Sequence, residues 1–267
     1  MIQFPDPAPF DPAPWPPSAR DLPEPPAPPQ PLIAKLRRFV RLEECDLDAL
    51  RNLAAYPKNY RSGHILIHEN AVPDHVYLLV RGMACRYKLL PSGQRQILGY
   101  LIPGDLCDIH FATLGRPDHS VSLLADSAAV KIPTRRIVDL LADHPQIERA
   151  LSLAAILDIA ILREWLLNVG QRNALQKLSH FFCEMKVRLE AIGEVSFDGS
   201  FEMPVNQSTL ADTTGLTPVH VNRTLQRLRS DGLIKLCHRR LSILDPDRLA
   251  AIAEFDAHYL QIRQCQR

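Results

Sequence analysis

The residue types best suited to chemistry lie between Thr217 and Arg229, where Val219, His220, Asn222, Arg223, Gln226 and Arg227 are interleaved with Val221, Leu225 and Leu228. The three apolar residues recur at i, i+4 and i+7, one stripe of an α-helix, so the polar ones face outward or lie on the rim. Thr217 is an N-cap residue and Pro218 a first-turn proline. A helix of this kind fits the major groove of double-stranded DNA. Its amino end meets phosphate favourably, and an outward arginine can make two hydrogen bonds to a guanine edge. Arg223 is expected to make that bond and Val219 to touch a thymine methyl. Asn222 is expected to pair with a base or a phosphate, and Thr217 and His220 to meet phosphate. Arg227 and Arg229 extend the positive rim.

Such a helix has to be held by other elements. Asn206 can cap a short helix ahead of it and Gly215 can supply the turn between the two, which predicts helix, turn, helix over residues 206–229. Downstream, Leu233 to Leu236 and Leu241 to Leu244 flank Cys237, His238, Arg239 and Arg240. This predicts a β-hairpin wing with Arg239 and Arg240 as two cations at its tip, placed to touch the DNA backbone. Asp245 and Pro246 then open a last helix, expected to reach about Ile262. Between Val219 and Arg240 stand six Lys/Arg and one acid, Asp231. The whole chain of 267 residues is nearly neutral, with 31 Lys+Arg against 30 Asp+Glu. Affinity for nucleic acid therefore has to come from local charge.

Upstream of residue 206 the texture changes three times. Of 23 prolines, 13 fall in the first 31 residues, where there is almost nothing aliphatic to bury, so an extended arm is expected there. A short helix is expected over Leu47 to Ala55. Six β-rich runs follow, at 64–67, 76–80, 84–88, 96–100, 121–124 and 128–132. Turn residues separate them, including Arg81-Gly82, Pro91-Ser92-Gly93, Pro103-Gly104-Asp105 and Asp126-Ser127, which indicates a β-roll of the jelly-roll kind. Beyond Pro133 the period becomes helical, and a long helix is expected from about Gln146 to Asn168. Ala155, Ile159, Leu162, Leu166 and Val169 recur in steps of four and three, as in a coiled-coil seam. Leu153, Ile156, Leu157, Ala160, Ile161 and Trp165 make the other side apolar as well. A helix apolar on both sides needs cover on both, and one β-roll supplies only one, so a second copy of the chain is the expected cover. Asp158, Arg163 and Glu164 argue against a membrane span, since each charge near a span's centre costs roughly 2.5–3.5 kcal/mol. Six scattered cysteines without a C-x-x-C pair, and no secretory signal, fit a reducing cytoplasm.

The order of β-roll, long helix and winged helix-turn-helix resembles the Crp/Fnr superfamily of bacterial transcription regulators. In the roll the likeness rests on Gly63, Glu69, Tyr77, Gly82, Gly93, Pro103-Gly104-Asp105 and Asp126-Ser127. In the second half it rests on Ala211, Gly215-Leu216-Thr217, Val221, Arg223, Leu225, Leu228 and Gly232-Leu233-Ile234. The fold class expected is α+β: an N-terminal β-roll (double-stranded β-helix) sensor domain, a long dimerisation helix and a C-terminal winged helix-turn-helix. The expected divisions are a proline-rich arm at 1–31, the roll at 32–145, the dimerisation helix at 146–170 and the DNA-binding domain at 171–267. The resemblance implies a homodimer on a near-palindromic operator of double-stranded DNA, acting beside RNA polymerase.

Departures from the family bear on the ligand. Cyclic-nucleotide binders carry a Gly-Glu pair for the ribose and an Arg-Ser pair for the cyclic phosphate, where this sequence has Asp108-Ile109 and His119-Ser120. Cyclic AMP is therefore disfavoured. The first 44 residues lack cysteine, which disfavours the iron-sulfur cluster of the oxygen-sensing members. No cofactor and no metal are assigned. Asp105, Asp108, His110, His119 and Ser120 remain as candidate ligand-binding residues around the expected pocket, with Asp118 beside them. Two rival classes stand beside this reading: a regulatory or scaffolding module that no longer binds DNA, and a metal-dependent jelly-roll enzyme. For the enzyme, His64 and His68 are four apart where the usual His-x-His needs two.

Overall fold

The computed structural model describes residues 30–72, 74–107, 109 and 115–262. The arm up to residue 29, and the candidate ligands Asp108 and His110, lie outside the described residues. The chain opens with α1 (Gln30–Arg37), a helix that sequence patterning missed because it spans only two turns, although Pro31, Leu32, Ile33 and Leu36 are buried along it. Next comes α2 (Glu44–Leu53), which starts three residues before its expected position because Glu43 and Asp46 close a reciprocal capping box on its first turn.

The roll consists of two four-stranded antiparallel sheets. One has the order β1-β8-β3-β6 and the other β2-β7-β4-β5. Its strands are β1 (Lys58–Tyr60), β2 (Ile65–Ile67), β3 (His75–Arg81), β4 (Ala84–Leu89), β5 (Arg95–Leu101), β6 (Leu106–Cys107), β7 (Ser120–Leu123) and β8 (Ser127–Pro133). All six expected runs are strands. The two added, β1 and β6, are too short to show alternation. Leu66, Leu79, Ala84, Leu101, Val121 and Leu123 pack together as one buried cluster of the roll. A second cluster joins Val76, Leu78 and Ile132 of the roll to Leu36 of α1, Leu50 of α2, Ile137 of α3 (Thr134–Asp143) and Ile147 of α4 (Pro145–Gly170).

The long helix α4 runs for 26 residues. It buries Leu157, Ile161 and Trp165 against the rest of the chain and leaves Ile159, Leu162 and Leu166 about half exposed or more. Ile156 departs from expectation. It is exposed and belongs to the open side with Ile159, because the buried stripe passes through Ala154 and Leu157 instead. Among the described residues no helix is long and apolar enough to cross a membrane.

The remainder comprises α5 (Ala174–Glu190), β9 (Ser200–Glu202), α6 (Gln207–Thr214), α7 (Pro218–Ser230), β10 (Ile234–Cys237), β11 (Arg240–Ile243), α8 (Pro246–Ala253) and a 3-10 turn, Ala257–Leu260. The final helix is shorter than the sequence suggested. Glu254 takes a left-handed φ of +50° and ends it, so the chain turns back and stacks Phe255 and Tyr259 around His180 of α5. One aromatic and aliphatic cluster, including Tyr100, Trp165, Phe181, Phe201, Leu210, Val221 and Leu228, runs from β5 through α4 into this second half.

At the Pro103-Gly104-Asp105 turn α1 lies directly on the backbone. Gly104 has φ +87°, and a Cβ there would sit 2.6 Å from the Pro31 carbonyl carbon and 2.7 Å from the Leu32 nitrogen. Gly93 has φ +83° with open space around it. Gly93→Ala should therefore lose only the left-handed strain, about 1–2 kcal/mol. Gly104→Ala should lose at least about 1 kcal/mol more in urea unfolding, because α1 must also lift. Equal losses would contradict this seating of α1.

Candidate nucleic-acid interface

The helix-turn-helix is locked by its caps. Asn206 Oδ1 accepts from Thr209 N at 2.7 Å to start α6, and Gly215, at φ +68°, ends it by donating to the Ala211 carbonyl at 2.9 Å. Thr217 Oγ1 accepts from His220 N at 3.3 Å and starts α7. Lys177 of α5 reaches across and donates to the Thr214 carbonyl at 3.2 Å, pinning the turn from behind. Val221, Leu225 and Leu228 are buried as expected. Thr224 is buried too, because its hydroxyl donates to the His220 carbonyl at 2.9 Å and so leaves no polar atom unmet.

This leaves one open face on α7. Thr217, Val219, His220, Arg223, Gln226, Arg227 and Arg229 are exposed and Asn222 is half-buried. Val219, at 63% exposure, is an uncovered apolar side chain at the amino end of the helix, where a groove-reading helix meets bases. Arg227 lies 3.7 Å from Asp231 one turn on, an exposed contact that a phosphate can displace. A groove beside α7 is lined by His220, Arg223, Thr224 and Arg227 and, opposite them, by Asn173, Ala174 and Leu175 at the amino end of α5. Sequence patterning did not place α5 here. The only signal was Asn173 with Gln176, a capping pair that fixes where α5 begins and hence which end faces the groove.

The wing forms with one correction. β10 and β11 pair Cys237 with Arg240, so the turn consists of His238 and Arg239, at φ +48° and +60°. Arg239 is at the tip and exposed. Arg240 is not at the tip, as the first residue of β11. Its guanidinium donates to Ser196 Oγ at 2.6 Å and to Ser200 Oγ at 2.7 Å, so its hydrogen-bonding capacity is directed into the sheet. The two-cation tip is thus a one-cation tip.

Of the candidate ligand residues of the roll, Asp105, His119 and Ser120 are among the described residues, and each has protein partners of its own. Asp105 is buried and paired with Lys35 of α1 and, at 3.6 Å, Arg188 of α5. Burial opposes its charge, but Lys35 and then Arg188 outweigh that and hold its carboxyl below the usual range. It is an interior structural ion, which corrects its expected place in a ligand pocket. His119 is buried with Nδ1 2.8 Å from an Asp118 oxygen, and Ser120 Oγ accepts from Glu69 N at 3.0 Å. The imidazole that stands in place of the family's arginine therefore brings a carboxylate with it.

Fold and exposed face together define a two-part DNA-binding regulator, a β-roll joined through a long helix to a winged helix-turn-helix. Comparison with known proteins gives the same class. Residues 57–144 match the cyclic nucleotide-binding domain and residues 176–252 the Crp-like helix-turn-helix domain. The nitrogen fixation regulation protein FixK of Bradyrhizobium diazoefficiens is 30% identical over 198 residues, 73% of this chain and 81% of that one. The transcriptional activatory protein AadR of Rhodopseudomonas palustris is 29% identical, over 79% of this chain and 87% of its own. The structure of FixK2 from Bradyrhizobium japonicum superposes with a TM-score of 0.66 at 22% identity, over 74% of this chain and 96% of that one, a likeness of fold. The chain belongs to the Crp/Fnr family of transcription regulators.

The two wing arginines should separate in experiment. Arg239→Ala is expected to reduce the slope of log affinity for duplex DNA against log salt by about 1, since one phosphate contact is lost. Arg240→Ala is expected to leave that slope unchanged and to lower the thermal midpoint, because Ser196 and Ser200 lose their donor. A slope change from Arg240→Ala would restore it to the DNA-facing set.

Proposed function

We propose that the chain works as a homodimer that binds a near-palindromic duplex site through two copies of α7, with Arg223 reading a base. Val219, Asn222 and His220 contact bases and nearby backbone, and Thr217, Arg227 and Arg239 grip phosphate. The observation that carries this is the pairing of two uncovered surfaces. One is the basic, polar face of α7; the other is the apolar seam of Ile159, Leu162 and Leu166 on α4, the helix that leads through Arg172 into α5. A symmetric pair joined along that seam presents α7 twice, as a two-fold operator requires. Action on transcription beside RNA polymerase follows from the family. The β-roll is the input half, and a signal acts there by favouring one disposition of the two recognition helices over another.

Arg223→Ala should weaken binding to the preferred site by about 1–3 kcal/mol and relax selectivity at one base position, measured by selecting bound duplexes from a random library. A uniform, sequence-blind loss would remove Arg223 from base readout. For the dimer, each seam leucine that becomes covered contributes about 1.5–3 kcal/mol, so Leu162→Glu combined with Leu166→Glu should give a monomer by sedimentation and lose tight operator binding. A double variant that stays dimeric would place the interface elsewhere.

A further inference from the structure

Cys45, Asp46 and His144 belong neither to the DNA-facing surface nor to the interior ion pairs of Asp105. Cys45 and Asp46 sit in the first turn of α2, and His144 is the single residue between α3 and α4. The Cys45 thiol, a carboxylate oxygen of Asp46 and an imidazole nitrogen of His144 all lie within 4.8 Å of one another, the one such trio among the described residues. Two of the three are already held. Asp46 Oδ2 accepts from Glu43 N at 3.1 Å, and Asp46 Oδ1 lies 3.0 Å from His144 Nδ1. Asp46 is buried and His144 half-buried, while Cys45 is exposed and gives access from solvent.

We propose that Cys45, Asp46 and His144 bind a divalent transition-metal ion of the zinc class, with water completing the coordination. The donor set is one sulfur, one oxygen and one nitrogen. Calcium and magnesium take oxygen ligands, whereas a thiolate beside an imidazole selects the borderline ions. Bond lengths of about 2.0–2.3 Å give a tetrahedral site with edges of about 3.3–3.8 Å. The Asp46–His144 edge, now a 3.0 Å hydrogen-bonding contact, would open slightly as the ion takes the place of the proton between them, and the edges to the exposed Cys45, now within 4.8 Å, would have to shorten. The backbone N–H of Glu43 on the second Asp46 oxygen fixes the carboxylate plane, as outer hydrogen bonds do in metal sites. Binding displaces the thiol proton, and the imidazole carries its hydrogen on Nε2 so that the Nδ1 lone pair meets the ion. Because His144 is the pivot between α3 and the long helix, the ion would tie the start of α4 to α2.

Cobalt(II) added to the full-length, reduced and chelator-stripped protein tests the site. One ion per chain should bind, with a thiolate-to-cobalt charge-transfer band and the strong visible bands of four-coordinate cobalt, and zinc should displace it. Cys45→Ser should abolish the charge-transfer band while melting like the stripped wild type, and His144→Gln should weaken binding at least tenfold. Cys237 Sγ is 3.0 Å from His238 Nδ1 and is the other exposed thiol–imidazole pair among the described residues. Cys237→Ser should leave the band intact. No band in the wild type, a band that survives Cys45→Ser, or one that vanishes with Cys237→Ser would overturn the proposal.

Discussion

The architecture turns on the guanidinium of Arg188. From α5 it donates to the Tyr100 carbonyl of β5 at 2.9 Å, lies 3.6 Å from Asp105 in the roll and 3.4 Å from Glu184 on its own helix. Glu184 in turn accepts from Trp165 of α4 at 3.0 Å and from the Tyr259 hydroxyl at 2.8 Å. Lys35 of α1 balances the charge on the Asp105 side. Six separate parts of the chain thus meet in one set of two half-buried cations and two buried carboxylates. Burial pushes the Glu184 carboxyl up, and Arg188, Tyr259 and Trp165 only partly offset it. Such sets add little net stability, yet removing one partner from a buried pair costs about 3–5 kcal/mol. The arrangement therefore specifies how the two halves meet more than how firmly each half folds.

Much of this was legible from residue order, and the failures have physical causes. The six principal roll strands, the long helix and the helix-turn-helix follow from hydrophobic period and caps, signals that act over a few residues. Long-range pairing was not legible. Nothing near Asp105 in sequence says that Lys35 and Arg188 will neutralise it, so it looked like a pocket ligand. Arg240 looked like a wing-tip cation because the turn uses His238 and Arg239 in left-handed conformations that favour glycine or asparagine, and no turn signal marked where the hairpin reverses. The early end of the last helix at Glu254 is of the same kind. It exists because Phe255 and Tyr259 are drawn back to α5, where burial pushes the His180 imidazole down to about 3 and keeps it neutral among aromatic rings.

On the open face of α7, by contrast, the sequence pattern carried the exposure of nearly every residue, because an exposed helix face has no tertiary partner to override it. What it lacked was the other wall of the groove. Asn173, Ala174 and Leu175 come to face Arg223 and Arg227 only through the packing of α5 behind the helix-turn-helix.

The same packing limits how a signal can travel. β5 touches α6 directly, through Arg95 to Asp212 at 2.8 Å and Tyr100 to the Thr213 hydroxyl at 2.6 Å. Since α6 and α7 share the core of Leu210, Val221 and Leu228, the recognition helix cannot move alone. A shift of α6 against the roll would have to break or re-form those two contacts. A ligand or ion acting on the roll or on the α3–α4 pivot can bias the recognition helices only to the extent that it favours one of those two sets of contacts over the other. The polar contacts of β5 with α5 and α6, and the aromatic and aliphatic cluster that runs between the same elements, are therefore where the roll and the second half are joined.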